Sequence, residues 1–148
     1  AGRGLEIIKR MNRFAHSADE SMVTFDVNAT LENLVRLTDR LAGLKGASLE
    51  TRFSPDAPQI TGNPFLLQQA VFTAITGILK GISKGEEIVI SSRPADTGVE
   101  IEIRGPVHGD QPDTADFDPI RIITDRMAGR LDIDKSEQLL IIRLIPGT

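Results

Sequence analysis

Residues 64–104 read PFLLQQAVFTAITGILKGISKGEEIVISSRPADTGVEIEIR, and the fold class turns on this stretch. Pro64 suits a first helical position, where its missing N–H would have had no partner anyway. Leu67, Ala70 or Val71, Ala74, Ile78 and Ile82 then recur with a helical period, which predicts a helix over 64–81. Lys84 and Gly85 turn the chain into a strand over 86–92, and Asp96-Thr97-Gly98 forms a hairpin-like turn. Over 99–104 the alternation is strict, with Val99, Ile101 and Ile103 on one side and Glu100, Glu102 and Arg104 on the other. A long apolar helix followed by two strands, one of them half buried, calls for a sheet covered by helices on one face.

Working outward, the pattern extends in both directions. Residues 3–17 (RGLEIIKRMNRFAHS) read as an amphipathic helix with an apolar stripe of Leu5, Ile8 and Met11, and such a stripe needs a partner to bury it. Ser17–Ser21 is a polar connector. Val23–Val27 is a short strand, and Asn28 is the expected N-cap of a helix over 29–43. Leu31, Leu34, Val35, Thr38 and Leu41 form that helix's inner face, and Gly43 is its expected stop. A strand follows over 47–53, then a loop over 54–64 that holds three prolines and a glycine. Beyond residue 104 the chain is polar and irregular to Asp116. A short helix over 117–128 ends at Gly129, and strands over 130–134 and 138–145 close the chain. The order predicts an α+β two-layer sandwich, a single mixed sheet of roughly five strands with three helices on one face, plus an N-terminal helix. Residues 1–20 then form the helix and connector, and residues 21–148 the globular domain.

Composition narrows the function. The 148 residues are 40% hydrophobic, enough for one compact core. A net charge of −4 argues against a nucleic-acid-binding face, and the absence of Trp and Tyr removes the usual stacking platforms for bases. The lack of cysteine excludes disulfides and thiolate metal sites, which suits a cytoplasmic protein. No apolar run approaches the roughly 20 residues of a membrane span. No P-loop, HExxH, GxSxG or EF-hand pattern is present. His16 lies near a helix C-terminus, where the dipole favours positive charge, and His108 lies in a loop with no orienting acid in view.

Three stretches carry a resemblance. LENLVRLTDRLAGLKGASLETRFSPDAPQITGNPFLLQQAV (31–71), GVEIEIRGPVHG (98–109) and RIITDRMAGRLDI (121–133) resemble, in order and spacing, the ATPase domain of histidine kinases in the GHKL superfamily. GLEIIKRMNRFAHS (4–17) is similar to the end of the dimerisation-hairpin helix that precedes that domain. The resemblance implies a Bergerat-type ATP-binding fold and a place in two-component signalling.

It also implies where a nucleotide pocket would lie, and the chain departs from the family's pattern at each part. The paired asparagines of the family's long helix, one of which offers magnesium an oxygen ligand, fall at Thr73 and Gly77. Lys80 matches the family's lysine three residues later. The Asp-x-Gly-x-Gly box reads Gly105-Pro106-Val107-His108-Gly109, without its carboxylate and with Val107 in place of the first glycine. Asp110–Asp113 is too short for the family's lid. Thr114–Phe117 stands where a second glycine box would offer backbone N–H groups to phosphate, with Asp116 or Asp118 a natural cap for the next helix. The expectation is a degenerate domain with no catalytic residue, metal site or bound cofactor, whose partners are a response regulator or its own dimerisation hairpin, with a homodimer through the N-terminal helix. The other reading is a catalytic ATP- and magnesium-binding domain of a sensor histidine kinase with an unusual nucleotide site. An unrelated small-ligand-binding domain would instead show a closed pocket near Thr73, Gly77 and Gly105.

Overall fold

The computed structural model describes residues 22–56, 59–96, 98–108, 114–136 and 138–147. The expected helix over 3–17, the connector, His16 and the short stretch 110–113 lie outside the described residues.

The chain opens with β1 (Val23–Asp26) and α1 (Val27–Leu44). It continues through β2 (Ser48–Phe53), β3 (Gln59–Gly62) and α2 (Pro64–Leu79). Two long strands follow, β4 (Glu87–Ala95) and β5 (Gly98–Pro106). A 3₁₀ turn (Thr114–Phe117) leads into α3 (Asp118–Arg126), and β6 (Arg130–Lys135) and β7 (Leu139–Ile145) complete the domain. The main sheet has five strands in the order β2-β4-β5-β7-β6. Only the β2–β4 pair is parallel, and α2 lies in the connection between them. The architecture is the expected α+β sandwich: a mixed five-stranded sheet with three helices packed on it.

The expectation of a single sheet is corrected. Among the described residues there are two sheets, because β1 pairs antiparallel with β3 as a separate ribbon, Val23 opposite Gly62 and Asp26 opposite Gln59. β3 falls within the stretch expected to be a loop. Its four residues are bounded by Pro58 and Pro64, and a run that short carries almost no periodic signal of its own.

The core lies between the sheet and the helices. Ile88 and Ile90 of β4, Val99, Ile101 and Ile103 of β5, and Leu140, Ile142 and Leu144 of β7 meet Leu67, Val71, Ala74, Ile75 and Ile78 of α2, all buried. The period of two along β5 thus predicted its inward face correctly. The other face carries cross-strand charge: Glu102 sits opposite Arg143, which also reaches Asp134 at 3.1 Å.

The ends of α1 differ from the sequence expectation in an instructive way. Asp26, not Asn28, caps the helix, accepting from the Ala29 N–H at 3.2 Å. Asn28 instead lies two residues past the cap, within the first turn, and ties the helix to the end of β2 and to β4. Its Nδ2 donates to the Ser54 carbonyl at 2.8 Å, and its Oδ1 accepts from the buried Ser92 hydroxyl at 2.6 Å. At the other end the helix runs past Gly43 to Leu44, and the left-handed residue is Gly46 with φ 71°. A side chain there would be strained by the backbone and crowded by Lys84.

These roles separate in stability measurements. Asp26→Ala removes a cap and is expected to cost about 1 kcal/mol. Asn28→Ala strands a buried hydroxyl and a carbonyl and is expected to cost about 1–3 kcal/mol. Urea unfolding of both variants checks the order, and an Asn28→Ala cost below that of Asp26→Ala would contradict the stitching role.

Candidate functional site

The positions singled out by resemblance lie along one side of α2, at the end of β5 and at the start of α3. Thr73 and Gly77 are one turn apart on α2, so they share a face. Thr73 is half-buried, and its hydroxyl donates back to the Gln69 carbonyl at 2.8 Å. Gly77 is fully enclosed: a Cβ built there would lie 2.6 Å from Cε1 of Phe117. Phe117, at the junction of the 3₁₀ turn and α3, is only 1% exposed. Its ring fills the space a side chain at 77 would need. Burying a phenylalanine of this kind is worth roughly 1.5–3 kcal/mol, so the ring has no cheap exit.

The strand side is closed in the same manner. A Cβ on Gly105 would meet Cγ2 of Ile78 at 2.6 Å, so this glycine lets α2 settle onto β5. Val107 follows β5 directly, is 2% exposed, and belongs to the same apolar cluster as Phe117. Gly109 lies outside the described residues. Gly77, Gly105, Val107 and Phe117 therefore meet as core, not as walls of an open cleft.

At the rim, Lys80 ends α2 and pairs with the Asp116 carboxylate at 3.1 Å. Lys80 is thus held by a side chain of its own chain. Asp116 belongs to the 3₁₀ turn, and Asp118 is the first residue of α3, whose N-cap Phe117 makes no side-chain cap bond. The expected capping role of the two aspartates is therefore not what the structure shows. Asp116 answers Lys80 instead.

His108 also has a partner that sequence reading did not find. Its Nε2 is 2.7 Å from Oε1 of Glu86, and the same carboxylate accepts from the Ser83 N–H at 2.6 Å. These contacts join the α2–β4 turn to the end of β5. Glu86 titrates below the ordinary carboxylate value, first because of its hydrogen bond to His108, with the Ser83 N–H adding to it against a partly opposing loss of solvation. No signal in the sequence ties residues 86 and 108, which are brought together only by the sheet. Among the described residues no cluster of His, Cys, Asp and Glu suits a metal ion, and no helix is long and apolar enough to cross a membrane.

Gly77 offers no side-chain oxygen, the Phe117 ring lies against it, and the Asp116 carboxylate pairs with Lys80.

Two substitutions report on this closure. Gly77→Ala gains about 1 kcal/mol of helix propensity but forces an overpacked contact, so a net loss of about 1–2 kcal/mol is expected. Pairing it with Phe117→Leu is expected to recover part of that loss in a double-mutant cycle by thermal or urea unfolding. For the rim, the sign follows from a depressed folded value. The Glu86 contribution is present above its unfolded pKa and fades as pH falls through the folded one. His108→Ala is therefore expected to move the Glu86 midpoint upward in a carboxyl-carbon NMR titration, and an unmoved midpoint would refute the coupling.

No protein-family model and no curated protein sequence matches the chain. Solved structures do. The catalytic domain of histidine kinase ThkA superposes with a TM-score of 0.74 at 12% identity, covering 87% of this chain and 99% of that one. Acinetobacter baumannii histidine kinase AdeS gives 0.69 at 12% identity, over 97% of this chain and 81% of that one. Full-length ShkA in complex with AMPPNP gives 0.73 at 15% identity, and there the matched region is 32% of the longer protein. At such identities the likeness speaks for the fold, and the fold of this chain is that of the histidine kinase catalytic, ATPase-like domain.

Proposed function

We propose that the chain is a degenerate ATPase-like domain of two-component signalling, acting as a docking, dimerisation or phosphotransfer-supporting module without binding ATP. The observation that carries this reading is the Phe117 ring seated on Gly77. In the resemblance that position provides a magnesium ligand, and here it provides the floor of an apolar contact. The Lys80–Asp116 pair adds to it, since a carboxylate of the chain already engages the cation that would attract phosphate. Loss of three charged or metal-mediated contacts at about 1.5–3 kcal/mol each would total about 5 kcal/mol or more, three to four decades in affinity. On this reading the partners are a response regulator and the chain's own dimerisation hairpin, and the N-terminal helix supplies the surface for a homodimer.

The second reading, a catalytic domain with an unusual nucleotide site, draws on one observation. ShkA superposes well and is a structure with AMPPNP bound. Calorimetric titration of the full chain with ATP and magnesium separates the two. No saturable heat at micromolar ligand is expected. Saturable micromolar binding would overturn the proposal and favour the second reading.

A further inference from the structure

On α1 the leucines recur as Leu34, Leu37, Leu41 and Leu44, at intervals of three, four and three residues. That is the a and d spacing of a helical seam, the pattern by which one helix packs along another. The domain itself uses only half of it. Leu34 and Leu41 are partly buried and pack against the core, whereas Leu37 is 47% exposed and Leu44 is 80% exposed. The two exposed leucines lie two helical turns apart, about 10 Å.

The residues bordering a seam, its e and g positions, select what packs on it. With Leu34 and Leu41 as a and Leu37 and Leu44 as d, these are Asn33 and Arg40 on one side and Thr38 and Lys45 on the other. Thr38 is buried in the domain, while Asn33, Arg40 and Lys45 are exposed. Arg40 stands between Leu37 and Leu44, three and four residues from them, with Arg36 one turn behind it. Among the described residues neither guanidinium has an ion-pair or hydrogen-bond partner. The acids of this helix, Glu32 and Asp39, lie on the far flank beyond Arg36. A second copy therefore matches poorly. Parallel pairing sets Arg40 against Lys45, antiparallel pairing sets it against Arg40 or Asn33, and neither supplies a carboxylate. An anionic membrane matches poorly too, since only Leu37 and Leu44 are free to enter lipid and the chain carries a net charge of −4.

We infer that the α1 seam is the docking site of a partner helix whose apolar stripe is flanked by carboxylates. Leu37 and Leu44 pack between its apolar side chains, and Arg40, with Arg36 behind it, meets its Glu or Asp residues across the seam. The surface belongs to α1, not to the contact of Gly77 with Phe117, so its test and the titration with ATP fail independently.

Two fluorescein-labelled three-heptad peptides, both with leucine at a and d, one with Glu and one with Lys at e and g, are the probes for anisotropy titrations of the full chain. The Glu peptide is expected to bind saturably and the Lys peptide about tenfold more weakly. Arg36→Glu combined with Arg40→Glu is expected to reverse that preference. Leu37→Gln combined with Leu44→Gln is expected to abolish binding of the Glu peptide, with urea unfolding as the check on its fold. The arginine variant, which removes no apolar contact, decides the question if the leucine variant unfolds. No saturable binding, equal binding of the two peptides, or an unchanged preference in the arginine variant would overturn the proposal. Binding to phosphatidylserine vesicles in preference to the Glu peptide would overturn it equally. So would a concentration-dependent dimer in sedimentation that the leucine variant abolishes, since the occupant would then be a second copy.

Discussion

The depth at which α2 sits between its neighbours is the constraint on which the rest of the domain depends. Two glycines set it. Gly105 opens β5 to Ile78 below the helix, and Gly77 opens the helix to Phe117 above it. A Cβ at either place would stand 2.6 Å from a carbon that is itself buried, and cores close-packed like crystals have no slack to absorb that. With both glycines in place, α2 becomes a middle layer. The apolar cluster runs without a break from the sheet, through Ile75 and Ile78, to Phe117 and Ile120. The closeness that makes this core places the Phe117 ring against the helix face at Gly77.

The sheet, the three helices and the inward residues were legible because they follow from period alone. The alternation of Val99–Arg104 and the helical recurrence from Pro64 onward each average over many residues, so single errors do not change the answer. The ribbon β1–β3 was not legible, because its strands have four residues each and are separated by the 32 residues between Asp26 and Gln59. Caps were read one step wrong for a local reason. Asp26 and Asn28 are equally good capping residues, and only the pull of Ser54 and Ser92 on Asn28 decides between them.

At the candidate site the sequence did not reveal which residues come together. Gly77 announced a missing side chain, but not that Phe117 fills the space, because that complement lies forty residues on. Lys80 and His108 each have a carboxylate partner that the sequence did not reveal, Asp116 and Glu86. Both pairs are formed by residues at element ends whose approach is dictated by how α2, β4 and β5 pack. Exposed pairs of this sort contribute little stability, typically under about 1 kcal/mol, so their weight is in orientation.

The outermost strands have a consequence for the molecule among its copies. Among the described residues, β2 and β6 each leave one row of backbone N–H and C=O groups without a strand neighbour, and such rows can recruit another chain. β2 is a six-residue strand carrying Glu50 and Arg52, and β6 is equally short and carries Arg130, Asp132, Asp134 and Lys135. A second sheet arriving at either edge would have to desolvate these charges or match them in register. Charges so placed oppose open-ended strand addition at either margin.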